Sequence, residues 1–297
     1  MRTLKRIIIL GIMSVLLLSG CGGKQQEVPA GSTDSAETET ETITIRTADT
    51  GDFTMNYFRF GQGEKIFVML PGLSVQGVMG SAEQIAEAYR MLDGEFTVYV
   101  FDPRNELPDS YSVDDMAEDT AAVLQSLGIA RACVFGASMG GMTALKLALR
   151  HPELTEKVVA ASSALRMGEG QYQAIDRWIR LAEKGDAEAL YLDFGEAVYP
   201  ENVFSQSRDG LAAASASVTD ADLKRFLILA ESMRGFDISG ELDRIECPIL
   251  AVNDREDQVL GPEAAKEMEM AMRGQPDREF FLYDGYGHAL YDTAPDF

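Results

Sequence analysis

A serine flanked by glycines, Gly136-Ala137-Ser138-Met139-Gly140, joins an apolar run to a helix-forming one, and this junction constrains the chain more than any other feature. Ala132-Cys133-Val134-Phe135 before it reads as a buried strand, and Met142 to Leu149 after it is rich in strong helix formers. Ser138 is therefore expected on a sharp strand-to-helix turn that lifts its hydroxyl above a sheet. The strained backbone of such a turn leaves no room for side chains two residues to either side, which accounts for Gly136 and Gly140. Gly141 then lets the helix pack close. A serine so placed is a candidate nucleophile, and it needs a base.

The chain holds two histidines, which can be weighed one by one. His151 lies further along the helical run that Ser138 opens; at about 1.5 Å per residue it is some 20 Å away, too far to take a proton. It reads as a polar residue at a helix end beside Pro152. His288 instead follows Gly285-Tyr286-Gly287, a small-residue loop after the apolar strand Phe280 to Tyr283. Loops at strand ends are where a base can be presented.

The acid is sought in the same way. Pro248 to Val252 reads as a buried strand and Asn253-Asp254-Arg255-Glu256-Asp257 as the loop after it, so three carboxylates compete. Asp257, two residues before Val259, suits a side chain turned inward, whereas Asp254 and Glu256 read as surface charges. The chain order Ser138, Asp257, His288 then implies nucleophilic catalysis: His288 deprotonates Ser138, and Asp257 holds the imidazole in the right tautomer.

With these residues in view the chain resembles the α/β-hydrolase superfamily of esterases, lipases and peptidases, from about Ile43 to the C-terminus. Val68-Met69-Leu70-Pro71-Gly72-Leu73 resembles the family's oxyanion loop after the third strand, Phe101-Asp102-Pro103-Arg104 the Asp-x-Arg-Gly segment after the fourth, and Asp115 to Gly128 the helix feeding the nucleophile strand. The resemblance implies a mostly parallel eight-stranded sheet flanked by helices, with a helical cap. It also implies an oxyanion hole made by the backbone N–H groups of Met139 and Leu73, one such donor typically contributing about 3 kcal/mol to the transition state. Pro71 stands where the family usually has histidine, Asn105 where it has glycine, and the chain stops soon after His288, so the closing helix is expected to be short or absent. None of these removes a candidate group.

The cap is expected at about residues 165–236, between the strand Val158 to Ala161 and the strand at Pro248. Ile175, Trp178, Ile179 and Ala182 fall at helical spacing, and Leu223, Phe226, Leu227 and Ala230 repeat it after Thr219 and Asp222. In the family such a segment covers the active site. Met167, Tyr172, Trp178, Tyr191 and Phe194 are then candidates to line the pocket, and their aromatic content points to an apolar substrate portion. A carboxylic ester hydrolase acting on a small ester or amide through an acyl-enzyme on Ser138 is expected, with a same-fold aminopeptidase or C–C bond hydrolase, or a non-catalytic ligand-binding lipoprotein, as the alternatives.

The N-terminus carries a separate signal. Arg2, Lys5 and Arg6 precede an apolar stretch, Ile7 to Leu18, too short to span a bilayer and suited to a secretory signal. Leu18-Ser19-Gly20-Cys21 resembles the lipobox of bacterial lipoproteins, which implies a signal peptide over 1–20, lipidation of Cys21, and an extracytoplasmic protein anchored in the cell membrane. Residues 21–42, rich in Gly, Gln, Ser, Thr and Glu and without an aromatic residue, read as a disordered tether. Residues 43–297 suffice for one domain.

A formal net charge of −22 disfavours nucleic acid as a partner. With Cys21 assigned to lipid, Cys133 and Cys247 remain. By the resemblance their strands are not neighbours, so two buried thiols are expected rather than a disulfide. No cofactor or metal is expected, Gly61-Gln62-Gly63 reads as a hairpin-like stretch rather than a phosphate cradle, and a monomer is the default.

Overall fold

The computed structural model describes residues 43–297; the expected signal segment, Cys21 and the tether lie outside them. Eight strands form one sheet in the order β1-β2-β4-β3-β5-β6-β7-β8. β1 (Arg46–Asp49) and β2 (Thr54–Phe60) form an antiparallel hairpin, and β2 also runs antiparallel to β4 (Phe96–Phe101). The other strands are parallel: β3 (Lys65–Leu70), β5 (Ala132–Ala137), β6 (Thr155–Ala161), β7 (Ile249–Asp254) and β8 (Arg278–Tyr283).

Gly61-Gln62-Gly63 is not a hairpin, because β4 lies between β2 and β3 in the sheet. The segment is a crossing that hugs the entry to β4: a Cβ at Gly63 would fall 2.0 Å from the Glu95 carbonyl carbon. The local sequence could not reveal this, since the separating strand comes later in the chain.

The central strands are apolar because both their faces are covered, as parallel sheets require. On one face lie α2 (Val113–Ser126), α3 (Met139–Arg150) and α8 (Gly261–Met272), over a core that includes Val68, Val134, Leu145 and Ala251. On the other, α1 (Ala82–Ala88) covers Phe58, Val98, Val100 and Phe135. Ser112 caps α2 reciprocally with Asp115, each satisfying a backbone N–H the helix leaves unpaired.

Four helices, α4 (Tyr172–Glu183), α5 (Ala187–Val198), α6 (Glu201–Ser215) and α7 (Asp220–Glu231), fill the expected insertion between β6 and β7. The stripe Ile175, Trp178, Ile179 and Ala182 on α4 is buried as its spacing predicts. On α7, capped by Thr219 and Asp222, the buried residues are Leu223, Phe226, Leu229 and Ala230, with Leu227 only half-buried. The cap shares one hydrophobic core with the sheet. Arg225 of α7 ties it further, its guanidinium donating to the carbonyls of Pro103 (2.7 Å), Arg104 (2.7 Å) and Asn105 (3.1 Å) after β4. After His288 comes only the short α9 (Leu290–Thr293).

Candidate active site

Ser138 sits between β5 and α3 with φ 54° and ψ −118°, a conformation L-residues rarely adopt. Two close approaches explain its glycines. A Cβ at Gly136 would lie 2.1 Å from the Gly140 carbonyl oxygen, and one at Gly140 would lie 2.1 Å from the Leu70 carbonyl oxygen. The first lets the helix fold back on its own strand; the second lets the end of β3 come alongside. The turn is pinned from the end of β6 and the segment just after it: the Ala161 carbonyl accepts from the Ser138 N–H (2.8 Å), and the Ser163 hydroxyl donates to the Ser138 carbonyl (3.0 Å).

Asp257 and His288 meet although their loops are far apart in sequence. His288 Nδ1 lies 2.8 Å from Asp257 Oδ2, and Asp257 Oδ1 accepts the N–H groups of Val259 (2.8 Å) and Leu260 (2.9 Å). Both side chains are buried. A carboxylate that accepts from Nδ1 places the neutral ring's proton there and leaves Nε2 with its lone pair free.

Asp254 corrects the reading of its segment. Asn253 and Asp254 belong to β7 rather than to the loop, and Asp254 is fully buried. Its Oδ1 accepts the Glu256 N–H (2.7 Å) and its Oδ2 the Tyr286 N–H (3.0 Å), so it braces both loops at once. Glu256 is exposed, as expected. In sequence Asp254 reads as a surface charge because an acidic residue next to Arg255 and Glu256 looks like a solvated turn.

Ser138 and His288 line one cavity beneath the cap. The Ser138 hydroxyl makes no hydrogen bond within the protein among the described residues. Leu73, the expected second oxyanion donor, lines the same cavity, and Met139 opens α3, where its N–H has no intrahelical acceptor. Trp178 and Phe194 form part of the cap wall, but Met167, Tyr172 and Tyr191 do not. Tyr172 accepts from the Gly235 N–H (2.9 Å), and Tyr191 donates to Gln76 (2.9 Å), so these phenols hold cap and loop in place. Helical spacing locates a buried stripe without saying which residues end over the site. Tyr199 and Asp292, also in the wall, had no signal in the sequence.

His151 instead pairs with Glu118 (3.0 Å) at the far end of α3. Cys133 and Cys247 are free thiols on either side of β6, both pushed up in pKa by burial. Among the described residues no group of three or more His, Cys, Asp or Glu side chains is arranged to hold a metal ion.

This strand order, with a serine on the turn after β5 beneath a helical cap, defines a hydrolase of the α/β fold. The chain belongs to the alpha/beta hydrolase family, whose model matches residues 67–297. Among its relatives are proteins that carry the name carbamate hydrolase RutD: that of Agrobacterium fabrum is 26% identical over 228 residues, covering 74% of this chain and 86% of its own. That of Caulobacter segnis is 28% identical over 225 residues, with 73% and 84% covered. In fold the chain is similar to the enol-lactonase of Burkholderia xenovorans LB400, with a TM-score of 0.70 at 21% identity and 84% and 96% of the two chains covered.

Proposed function

We propose that the chain is a serine hydrolase of carboxylic esters, working through an acyl-enzyme on Ser138. The observation that carries this reading is the hydrogen-bonded Asp257–His288 pair opening into the cavity that Ser138 lines from its strained turn. His288 Nε2 takes the hydroxyl proton as Ser138 Oγ attacks the substrate carbonyl, and the carbonyl electrons move onto the oxygen. The N–H groups of Met139 and Leu73 receive that oxyanion. Collapse breaks the bond to the leaving group, which departs with the proton from His288; water, deprotonated by the same ring, then releases the acid. Asp257 orients the imidazole and stabilises its charged form.

The RutD likeness favours one second reading, attack on a carbamate or amide by the same three residues. Fold does not choose between these bonds; the cap and leaving-group contacts do. Reaction of the purified full chain with a fluorophosphonate, followed by a panel of p-nitrophenyl esters, carbamates and anilides, tests both. Labelling of wild type, with loss of turnover by roughly 10⁴-fold in Ser138→Ala and His288→Ala, is expected. Unchanged turnover in either variant overturns the proposal.

The lipobox-like Leu18-Ser19-Gly20-Cys21 supports placing this activity on the extracytoplasmic face of a membrane, through lipid on Cys21. Incorporation of labelled palmitate into wild type but not into Cys21→Ala tests that placement.

A further inference from the structure

The cavity that Ser138 and His288 share is walled mainly by apolar side chains, among them Ile175, Phe194, Val198 and Met233. Trp178, the largest, turns its one polar atom away: its Nε1–H donates to Asp193 (2.8 Å). Against this background Asp292 stands out. It lies on α9, just beyond His288, and lines the cavity together with Tyr199 and Tyr291. None of the steps proposed above uses it.

Asp292 is half-buried, and among the described residues its carboxyl oxygens take part in no hydrogen bond or ion pair. Burial alone holds its pKa well above the usual carboxylate range, with no lysine, arginine or donor to offset it. The flanking phenols of Tyr199 and Tyr291 are pushed up as well, first by burial and then by the Asp292 charge, so both stay neutral. A carboxyl that lines a mainly apolar cavity without a protein partner marks a place where a ligand can supply one. Aromatic rings beside a carboxylate also suit a cation, whose charge is attracted to their faces. A bound cation would favour the charged carboxylate that burial disfavours, which an uncharged donor does far less. The net charge of −22 adds a long-range pull of the same sign.

We propose that Asp292, flanked by Tyr199 and Tyr291, is an ammonium-recognition subsite inside the active-site cavity, so that preferred substrates carry a positively charged amine on the portion held under the cap. The proposal deepens the serine hydrolase reading and rests on it for the word substrate. The amine's nitrogen donates to the Asp292 carboxylate while the aliphatic part of the substrate fills the apolar wall.

The test compares n-pentylammonium with n-pentanol, equal in chain length, as protectants of Ser138 against fluorophosphonate labelling of the full chain at fixed ionic strength. In wild type, n-pentylammonium is expected to protect at concentrations about tenfold lower than n-pentanol, the scale of one charge-assisted hydrogen bond. In Asp292→Asn, and in Asp292→Ser as a second replacement, that preference disappears. Equal protection by the two probes in wild type, or a preference that survives both replacements, overturns the subsite. Absence of labelling in folded wild type would count against the hydrolase reading alone, and calorimetric titration with the same two probes would then decide the subsite by the same ratio.

Discussion

Asp254 Oδ2 accepts the backbone N–H of Tyr286 at 3.0 Å, tying the end of β7 to the loop that carries His288. Its other oxygen holds the Glu256 N–H at 2.7 Å, within the loop that carries Asp257. One buried carboxylate thus sets the spacing of two loops whose side chains must meet. Asp254→Ala is expected to destabilise the fold by about 1–3 kcal/mol, since two partly buried backbone donors lose their acceptor. It should also lower kcat more than it raises KM. Urea unfolding and steady-state kinetics check both; wild-type kcat in a folded variant would remove the brace from the account.

Ser163 acts one strand away. Its hydroxyl holds the Ser138 carbonyl, and its own carbonyl accepts Asn253 Nδ2 at 2.9 Å, so a line of hydrogen bonds runs from β7 to the strained turn. Ser163→Ala should cost about 1 kcal/mol of stability. A fall of kcat by up to about tenfold with KM nearly unchanged is expected, because small misplacements of a nucleophile act on the chemical step. A kcat equal to wild type would limit Ser163 to packing.

At Gly140 the prediction is steric. An added methyl would meet backbone, the Leu70 carbonyl oxygen at 2.1 Å, and no flexible side chain can yield there. Gly140→Ala is expected to destabilise by about 1–3 kcal/mol or more and to abolish fluorophosphonate labelling. Thermal unfolding and labelling of the same sample decide it, and full labelling at wild-type stability would contradict the close approach.

Arg225 joins cap to sheet through three carbonyls, although burial lowers its pKa and the Asp102 charge only partly opposes this. Arg225→Met keeps the aliphatic bulk and deletes the bonds. A loss of about 2–3 kcal/mol is expected, together with a raised KM, because the same cap segment carries Met233 in the cavity wall. Limited proteolysis should cut first within α6 or α7; cleavage indistinguishable from wild type would show that the hydrophobic core alone holds the cap.

Asp292 gives a pH dependence of definite sign. Its carboxyl is raised in the folded chain, so the folded state holds the proton more tightly than the unfolded one. Stability from this group is present below its unfolded value of about 3.9 and is lost as pH rises through the folded value. The groups acting with it, Tyr89, Tyr199 and Tyr291, are neutral phenols across that range. Asp292→Asn should therefore be more stable than wild type at neutral pH, with the gap closing as pH falls toward 4. Urea midpoints across that range test it, and a constant difference would mean the carboxyl does not titrate as its burial requires.

What the sequence determined by itself was local: the turn at Ser138, the cap at Thr219, the stripe on α4, and Asp257 and His288 as the candidate acid and base. These are legible because backbone sterics, helical period and the scarcity of histidine act over a few residues or exclude alternatives outright. Tertiary structure decided the rest. Gly61 to Gly63 became a crossing rather than a hairpin because β4, formed later in the chain, inserts beside β2. Asp254 turned inward because two loop amides, one of them at Tyr286, required an acceptor. Tyr199 and Asp292 reached the cavity through the packing of the cap and α9 around Ser138. Periodicity reports that a side chain is buried; which neighbours share its space depends on contacts between segments distant in the chain, and these exist only once it has folded.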